Sequence, residues 1–357
     1  MTGADLAVIG GGPVGLAVAI EARLAGLDVV VVEPRSAPID KACGEGLMPG
    51  ALRSVRRLGI DPDGWPLRGI AYVAGQRRAE HPFAEGPGRG VRRTTLHGAL
   101  AARASGLGAQ TIGGRVAGIR QEESEVVLMG DGIGELRARW AVAADGLHSR
   151  ARRLLGVEAR VPHQAGAASN ARRFGLRRHF AVEPWSEDIE VHWSVGSDAP
   201  AFEAYVTPTG PAEVGIALLG PPGLDFVPAL ARLPELAERI GDALPLGEVR
   251  GAGPLRQRAT RRVVGRVLLA GDASGYVDAL TGEGLRVGLE HARAAVRAVV
   301  GGDPAGYERE WRRVTRDYRM LTGGLVAAAR SPLRHRIVPA AERMPRVYGA
   351  IVERLAR

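Results

Sequence analysis

The sequence predicts a mixed α/β (α+β) fold: a Rossmann-like nucleotide-binding sheet interrupted by an antiparallel sheet and followed by helices. Three observations predict it. The chain opens with a βαβ unit around Gly10-Gly11-Gly12-Pro13-Val14-Gly15. Four strand-like segments then follow one another between residues 174 and 219, where the α/β alternation stops. Two further glycine-acid pairs, Asp145-Gly146 and Gly271-Asp272, end apolar runs far apart in sequence. A sheet whose motifs lie so far apart is discontinuous, with another unit inserted into it.

The elements follow in order. Residues 5–9 are a short apolar run, residues 16–24 carry apolar positions at helical spacing, and residues 29–32 are a second buried-strand run ending in Glu33. In such a unit Gly10 allows the tight turn, Gly12 lets the backbone approach a pyrophosphate, and Gly15 lets the helix pack on the strand. The helix start offers free N–H groups to phosphate, and Glu33 stands where a carboxylate takes ribose hydroxyls. Pro13, Val14, Pro34 and Arg35 flank these positions. A loop over 36–49 precedes a helix at 50–58; segments 70–73 and 78–83 read as a hairpin. A helix over 93–104 opens with Arg93. Segments 115–119, 125–129 and 135–139 read as a meander, and 140–144 as a strand ending at Asp145-Gly146.

Segments 174–182, 189–195, 202–207 and 214–219 are the inserted strands. Residues 228–240 are helical with a break at Pro234, 266–270 return as a strand to Gly271-Asp272, and 285–300 form a long helix. The remainder from 307 is helical, with breaks at Pro332, Pro339 and Pro345. The domains expected are a discontinuous nucleotide domain (1–69, 91–164 and 256–303), a substrate domain (70–90 and 165–255) and a helical C-terminal segment (304–357). Together the three glycine-acid motifs describe a chain folded around one dinucleotide with a ribityl arm, FAD. That points to redox catalysis rather than to a binding module.

Composition narrows the partners. The net charge is +9, yet Lys41 is the single lysine among 48 basic residues, and the arginines are dispersed among acids. No long basic block exists, so a nucleic-acid partner is not predicted. Cys43 is the one cysteine, which excludes an intramolecular disulfide and a multi-cysteine metal site. No metal is expected. The apolar stretch 6–20 is broken by glycines and no other run reaches a membrane span, so a cytoplasmic chain without a transmembrane segment is expected. Nothing in the sequence fixes an oligomeric state.

These motifs resemble those of FAD-dependent oxidoreductases of the para-hydroxybenzoate hydroxylase fold, over residues 4–300. The nearest resemblance is to the geranylgeranyl reductase-like branch and to actinobacterial monooxygenases. Gly10, Gly12 and Gly15 with Glu33 are similar to the ADP-binding end. Asp145-Gly146 with Ser149-Arg150 resembles the second FAD fingerprint. Gly271-Asp272-Ala273 resembles the third, whose aspartate reaches the ribityl hydroxyls. The resemblance places Arg93 near FAD and sets Thr281-Gly282-Glu283-Gly284, continuing into Leu285, against the pyrimidine edge of the flavin. A helix start there would stabilise negative charge on the reduced ring.

Lys41 to Pro49 resembles a Cys-Gly-x-Gly-Leu loop beside the flavin in geranylgeranyl reductase-like enzymes, which places Cys43 and Gly44 there. Cys43 either packs or reacts. In related enzymes a strand like 202–210 crosses the active site. Alternation puts Glu203, Tyr205 and Thr207 on one face, and in the preceding strand Glu190, His192 and Ser194 on one face. The sequence does not say which faces look at the substrate. His192 and Tyr205 are candidates, as is His179. Ala279 replaces the proline usual in the family, which predicts a looser turn. The lack of a second lysine and of the tryptophan-halogenase signature argues against halogenation.

The resemblance implies an FAD-dependent oxidoreductase; Glu190, His192, Glu203 and Tyr205 in the inserted strands, and the lack of a long apolar segment for a prenyl tail, argue for an oxygenated substrate and so for a monooxygenase that hydroxylates or epoxidises a small organic substrate, free or carrier-bound, through oxygen added at flavin C4a. NAD(P)H, bound transiently, or a partner reductase would supply the electrons. A double-bond reductase of the geranylgeranyl reductase type is the alternative reaction, and a non-catalytic FAD-binding electron carrier the alternative class.

Overall fold

The computed structural model describes residues 3–159, 172–194 and 200–357. The expected boundary at 164/165 and the end of the 189–195 strand lie outside the described residues. The nucleotide-binding sheet runs Val263–Val264, Val267–Leu269, Gly134–Ala143, Ala4–Ile9, Val29–Val32, Gln110–Ile112. Its four central pairings, from Val267–Leu269 across to Gln110–Ile112, are parallel. Arg115–Gln121 and Val126–Asp131 extend it as an antiparallel meander. The central strands are buried on both sides, which is why they read as unbroken Val, Ala, Leu and Ile. Helices Pro13–Leu24, Arg93–Gly106 and Gly284–Gly301 pack one core against it, joined by helix Pro49–Arg57.

A second sheet of seven strands runs Leu244–Ala252, Phe174–Ala181, Glu213–Gly220, Glu203–Gly210, Asp188–Trp193, Gly69–Ala74, Arg77–Pro82. Only Asp188–Trp193 and Gly69–Ala74 pair in parallel; the other neighbours are antiparallel. One face is covered by the short helices Phe226–Leu230 and Pro234–Ile240 over Phe202, Val206, Ile216 and Leu218. The opposite face meets the C-terminal helices through Tyr72, Ile189, Val191 and Trp193.

Several elements differ from expectation; among them, Gly134–Ala143 is one strand rather than two, and Gln110–Ile112 is an added strand at the sheet edge. Leu244–Ala252 is an edge strand, mostly exposed, whose Pro245 and Gly247 break any alternating pattern. A small sheet of Gly46–Leu47, Gly88–Gly90 and Trp65–Leu67 is too short to leave periodicity. At the C-terminus, Pro304–Arg330 is one helix, and Pro332 and Pro345 begin new ones. Pro339 does not break the chain, because it stands in the first turn of Ile337–Arg343, where its missing N–H has no helical partner to lose. Among the described residues no helix is long and apolar enough to cross a membrane, and no group of three His, Cys, Asp or Glu is placed to hold a metal ion.

Candidate active site

A cleft of about 620 Å³ runs from the glycine loop to the inner face of the seven-stranded sheet. Strand Ala4–Ile9 delivers Gly10 into a turn with φ of 102°, which side chains rarely adopt. A Cβ on Gly15 would stand 1.8 Å from the Gly10 carbonyl oxygen, so only glycine lets the helix start directly behind the loop. Gly15 therefore packs the loop and does not line the cleft, whereas Gly10, Gly12, Pro13 and Val14 do.

Glu33 is buried at the end of its strand. It accepts the Gly11 N–H at 2.9 Å and Arg35 Nε–H at 2.7 Å. Burial pushes its carboxyl up, but the bonds from Arg35 and Gly11 outweigh that, so it is held below its ordinary range. Beneath the loop, buried His97 donates Nε2–H to the Gly11 carbonyl at 2.8 Å. Burial lowers its pKa, which keeps the ring neutral and fixes that tautomer.

Mid-cleft stand Asp145, Gly146, Gly271, Asp272, Arg93 and Lys41. Fully buried Arg152 donates to the Leu147 carbonyl at 3.1 Å and to the Ala273 carbonyl at 3.2 Å, tying the second and third glycine-acid motifs together. Lys41 Nζ lies 3.4 Å from where a Cβ on Gly146 would stand. Burial pushes the Lys41 ammonium pKa down, opposed by the charge of Asp272. Burial pushes Asp272 up, opposed by Lys41, Arg93 and Arg152.

The Lys41–Met48 loop forms the next wall. Cys43 is half-buried, and its Sγ accepts the Glu45 N–H at 3.4 Å. Glu45 has φ of 59°, an unusual conformation for a side-chain residue, and its surroundings hold it there. Its carboxylate accepts the Arg93 N–H at 2.8 Å and a short hydrogen bond from His179 Nε2. Arg92 and Arg177 donate to His179 Nδ1 at 2.6 and 3.1 Å, which puts the His179 proton on Nε2. Thr207 donates to the Gly44 carbonyl at 2.8 Å. The loop is thus pinned to the sheet.

Beyond it the walls are apolar: Ile70, Tyr72, Ile189, Val191, Ala217 and Leu219 on the sheet, with Leu255, Leu280 and Leu355 around them. Tyr205 is there as expected. Its hydroxyl donates to the Leu280 carbonyl at 2.7 Å, and burial with the charge of Glu203 raises its pKa well above the ordinary value. Glu203 lies deeper on the same face, where Arg173 joins it at 2.6 Å and Asp278 at 3.0 Å. That ion trio ties the strand to the Thr281–Gly284 turn.

His192 is not in the cleft. Register pairs Val191 with Tyr205, so His192 and Glu190 point to the other face. There Glu190 accepts from Trp185 and faces His192 Nε2, both at 3.0 Å, and Arg78 donates to it at 2.6 Å. The turn at Ala279 is not loose either. The Gly282 N–H donates to the Ala279 carbonyl at 3.0 Å, the Leu280 N–H to Asp278 at 3.1 Å, and Thr281 and Thr322 bond at 2.7 Å. The helix behind it starts at Gly284, and Gly282, Gly284 and Leu285 line the cleft with Pro34, Arg35, Cys43 and Gly44.

Nothing in the sequence singles out His97 or Arg152, and the loop that holds Lys41 and Glu45 carries no sign of a role for either or of the pairing of Glu45 with the candidate His179. A lone buried polar residue leaves no periodic signal. Lys41 stands out only as the single lysine of an arginine-rich chain.

The donors fit FAD. Buried Asp145 Oδ1 and Arg93 Nε belong to residues lining the cleft and have no hydrogen-bond partner among the described residues. A Cβ on Gly12 would meet nothing within 4 Å, leaving the backbone open beside the helix start.

Comparison with known proteins bears on the same residues. Residues 3–195 match the FAD binding domain family model. The chain is 31% identical to menaquinone reductase of Mycolicibacterium smegmatis, over 87% of this chain and 80% of that one. It is 31% identical to digeranylgeranylglycerophospholipid reductase 1 of Methanopyrus kandleri, over 88% and 87%. It is 29% identical to rifampicin monooxygenase of Streptomyces venezuelae, over 81% and 62%.

Proposed function

We propose that this chain, which belongs to the FAD binding domain family and is an FAD-dependent oxidoreductase, reduces a carbon–carbon double bond in an apolar, isoprenoid-like substrate. The observation that carries the reading is the wall of the cleft beyond the Cys43 loop. It is aliphatic and aromatic; of the four polar residues that argue for an oxygenated substrate, Glu190 and His192 lie on the far face, while Glu203 is paired with Arg173 and the Tyr205 hydroxyl is bonded to the Leu280 carbonyl. The two reductase relatives support it.

FAD held here supplies two-electron redox chemistry. Gly10 to Gly15 and the start of helix Pro13–Leu24 would receive its pyrophosphate, Glu33 its adenosine ribose, and Asp272 its ribityl hydroxyls. Lys41 and Arg93 place positive charge mid-cleft. The Thr281–Gly284 turn and the helix start behind it would face the flavin ring and favour negative charge there. The Glu45–His179 bond pins the Cys43 loop, which would lie beside the bound flavin. Ile70, Val191, Leu219 and Leu280 exclude water and align an apolar chain. Tyr205, its proton held by burial, orients the Leu280 turn. Electrons come from NAD(P)H bound transiently or from a partner reductase.

A second reading, oxygen insertion, is favoured by the rifampicin monooxygenase likeness. The test uses an isoprenoid quinone and a polyprenyl glycerolipid with reduced enzyme, with and without labelled O₂. The expected product is two hydrogens heavier, unlabelled, and formed equally well without oxygen. A product carrying one labelled oxygen overturns the reductase reading in favour of the monooxygenase.

A further inference from the structure

We infer that the C-terminal helix Pro345–Ala356 docks this protein onto an anionic membrane surface. One face of the helix is committed inward. Tyr348, Val352 and Leu355 are buried, and Leu355 lines the apolar end of the cleft. The adjoining arc carries an apolar stripe that no described residue covers: Val347 and Ile351 in the helix and Met344 at its N-cap are 53%, 38% and 50% exposed. At about 100° per residue, Val347 and Ile351 lie within about 40° of each other, and Met344 caps the helix just before them. Arg354 bonds to Asp317 on helix Pro304–Arg330, which brings Met320, 66% exposed and one turn further along that helix, toward the same side.

The charge around the stripe selects the occupant. Residues 330–357 hold seven arginines against two acids, Glu342 and Glu353. Both acids are turned onto the Arg77–Pro82 strand, Glu342 to Arg77 at 2.8 Å and Glu353 to His81 at 3.1 Å. The exposed Arg343 and Arg346 beside the stripe therefore have no acidic counterweight from their own segment. Exposed apolar side chains bordered by arginines match the acyl boundary beneath anionic headgroups. A protein partner would have to supply both an apolar groove and a ring of acids. A helix that faces lipid along one flank and walls the cleft along the next would also put the cleft next to the bilayer. The docking itself does not depend on which reaction the cleft performs.

The test is co-sedimentation of the FAD-loaded full chain with vesicles, without substrate. Vesicles of phosphatidylglycerol mixed with phosphatidylcholine should pellet the protein; phosphatidylcholine alone should pellet about tenfold less, and high salt should release it. V347D/I351D and R343E/R346E should each weaken binding about tenfold or more, with circular dichroism and FAD content unchanged. V300D, on an exposed site of another helix, should bind as the parent does. Absence of vesicle binding, or binding that both double variants leave intact, overturns the inference. So does a dimer in solution that V347D/I351D dissociates, since a second copy would then cover the stripe. If a double variant misfolds, the single variants V347D and R346E replace it.

Discussion

Glu33 and His179 show how single side chains set the site. Glu33 is held ionised by Arg35 and the Gly11 N–H, so its carboxylate is a fixed acceptor. Glu33→Gln loses the charge-assisted bonds and gains a donor where acceptance is needed, so FAD affinity should fall about tenfold or more. Flavin fluorescence titration measures it, and unchanged affinity would remove Glu33 from the cofactor site. His179→Ala leaves the buried Glu45 carboxylate without its histidine donor. That should cost about 1–3 kcal/mol of stability and loosen the Cys43 loop. Urea denaturation gives the first. Faster thiol labelling of Cys43 gives the second, and labelling at the parent rate would show that the loop is held by other contacts.

Elements explain what the sequence disclosed and what it hid. The βαβ unit was legible because a doubly buried strand, a glycine turn and a helix each leave a local signature. The four inserted strands were legible as strands, but alternation assigns two faces without saying which is covered. That was decided by Phe226–Leu230 and Pro234–Ile240, which pack over the His192 face. Tyr205 fell on the cleft side and His192 did not, although both stood equal in the sequence. Edge strand Leu244–Ala252 stayed hidden because exposure removes the apolar repeat. The covered face gives a prediction for strand Glu213–Gly220. Ala217 lines the cleft between Tyr205 and Arg177. Ala217→Phe should fill the apolar end, raise KM for long substrates about tenfold and leave FAD content at the parent level. Unaltered KM across chain lengths would mean that the substrate enters elsewhere.

Across the whole molecule, buried titratable groups make stability depend on pH. His291 lies under the Gly271 turn, accepts the Gly271 N–H at Nδ1 at 3.3 Å, and is pushed down to about 3, mainly by burial and then by Arg262 and Arg286. An unfolded chain takes up this proton below about 6.5, while the folded one waits until about 3. The contribution is therefore full above pH 6.5 and is lost as pH falls toward 3, at up to about 1.4 kcal/mol per pH unit. Glu190 acts in the same direction at lower pH. Burial would raise it, but bonds from His192, Trp185 and Arg78 bring it to about 2, so its contribution is present above about 4.5 and fades below. Buried carboxyls pushed upward, Asp278 among them, oppose both. The difference between parent and His291→Asn isolates the histidine, since the amide oxygen can accept the Gly271 N–H. Urea midpoints from pH 7 to 4 should fall more steeply for the parent; parallel lines would show that His291 charges freely in the folded state. Lys41 has a practical consequence of another kind. It supplies the chain's single side-chain amine, and that amine opens into the cleft. Amine-reactive dyes, biotinylation reagents and coupling resins would therefore attach there or at the α-amino group. Protection of Lys41 from acylation becomes a mass-spectrometric gauge of cleft occupancy, and immobilisation through amines is the chemistry to avoid.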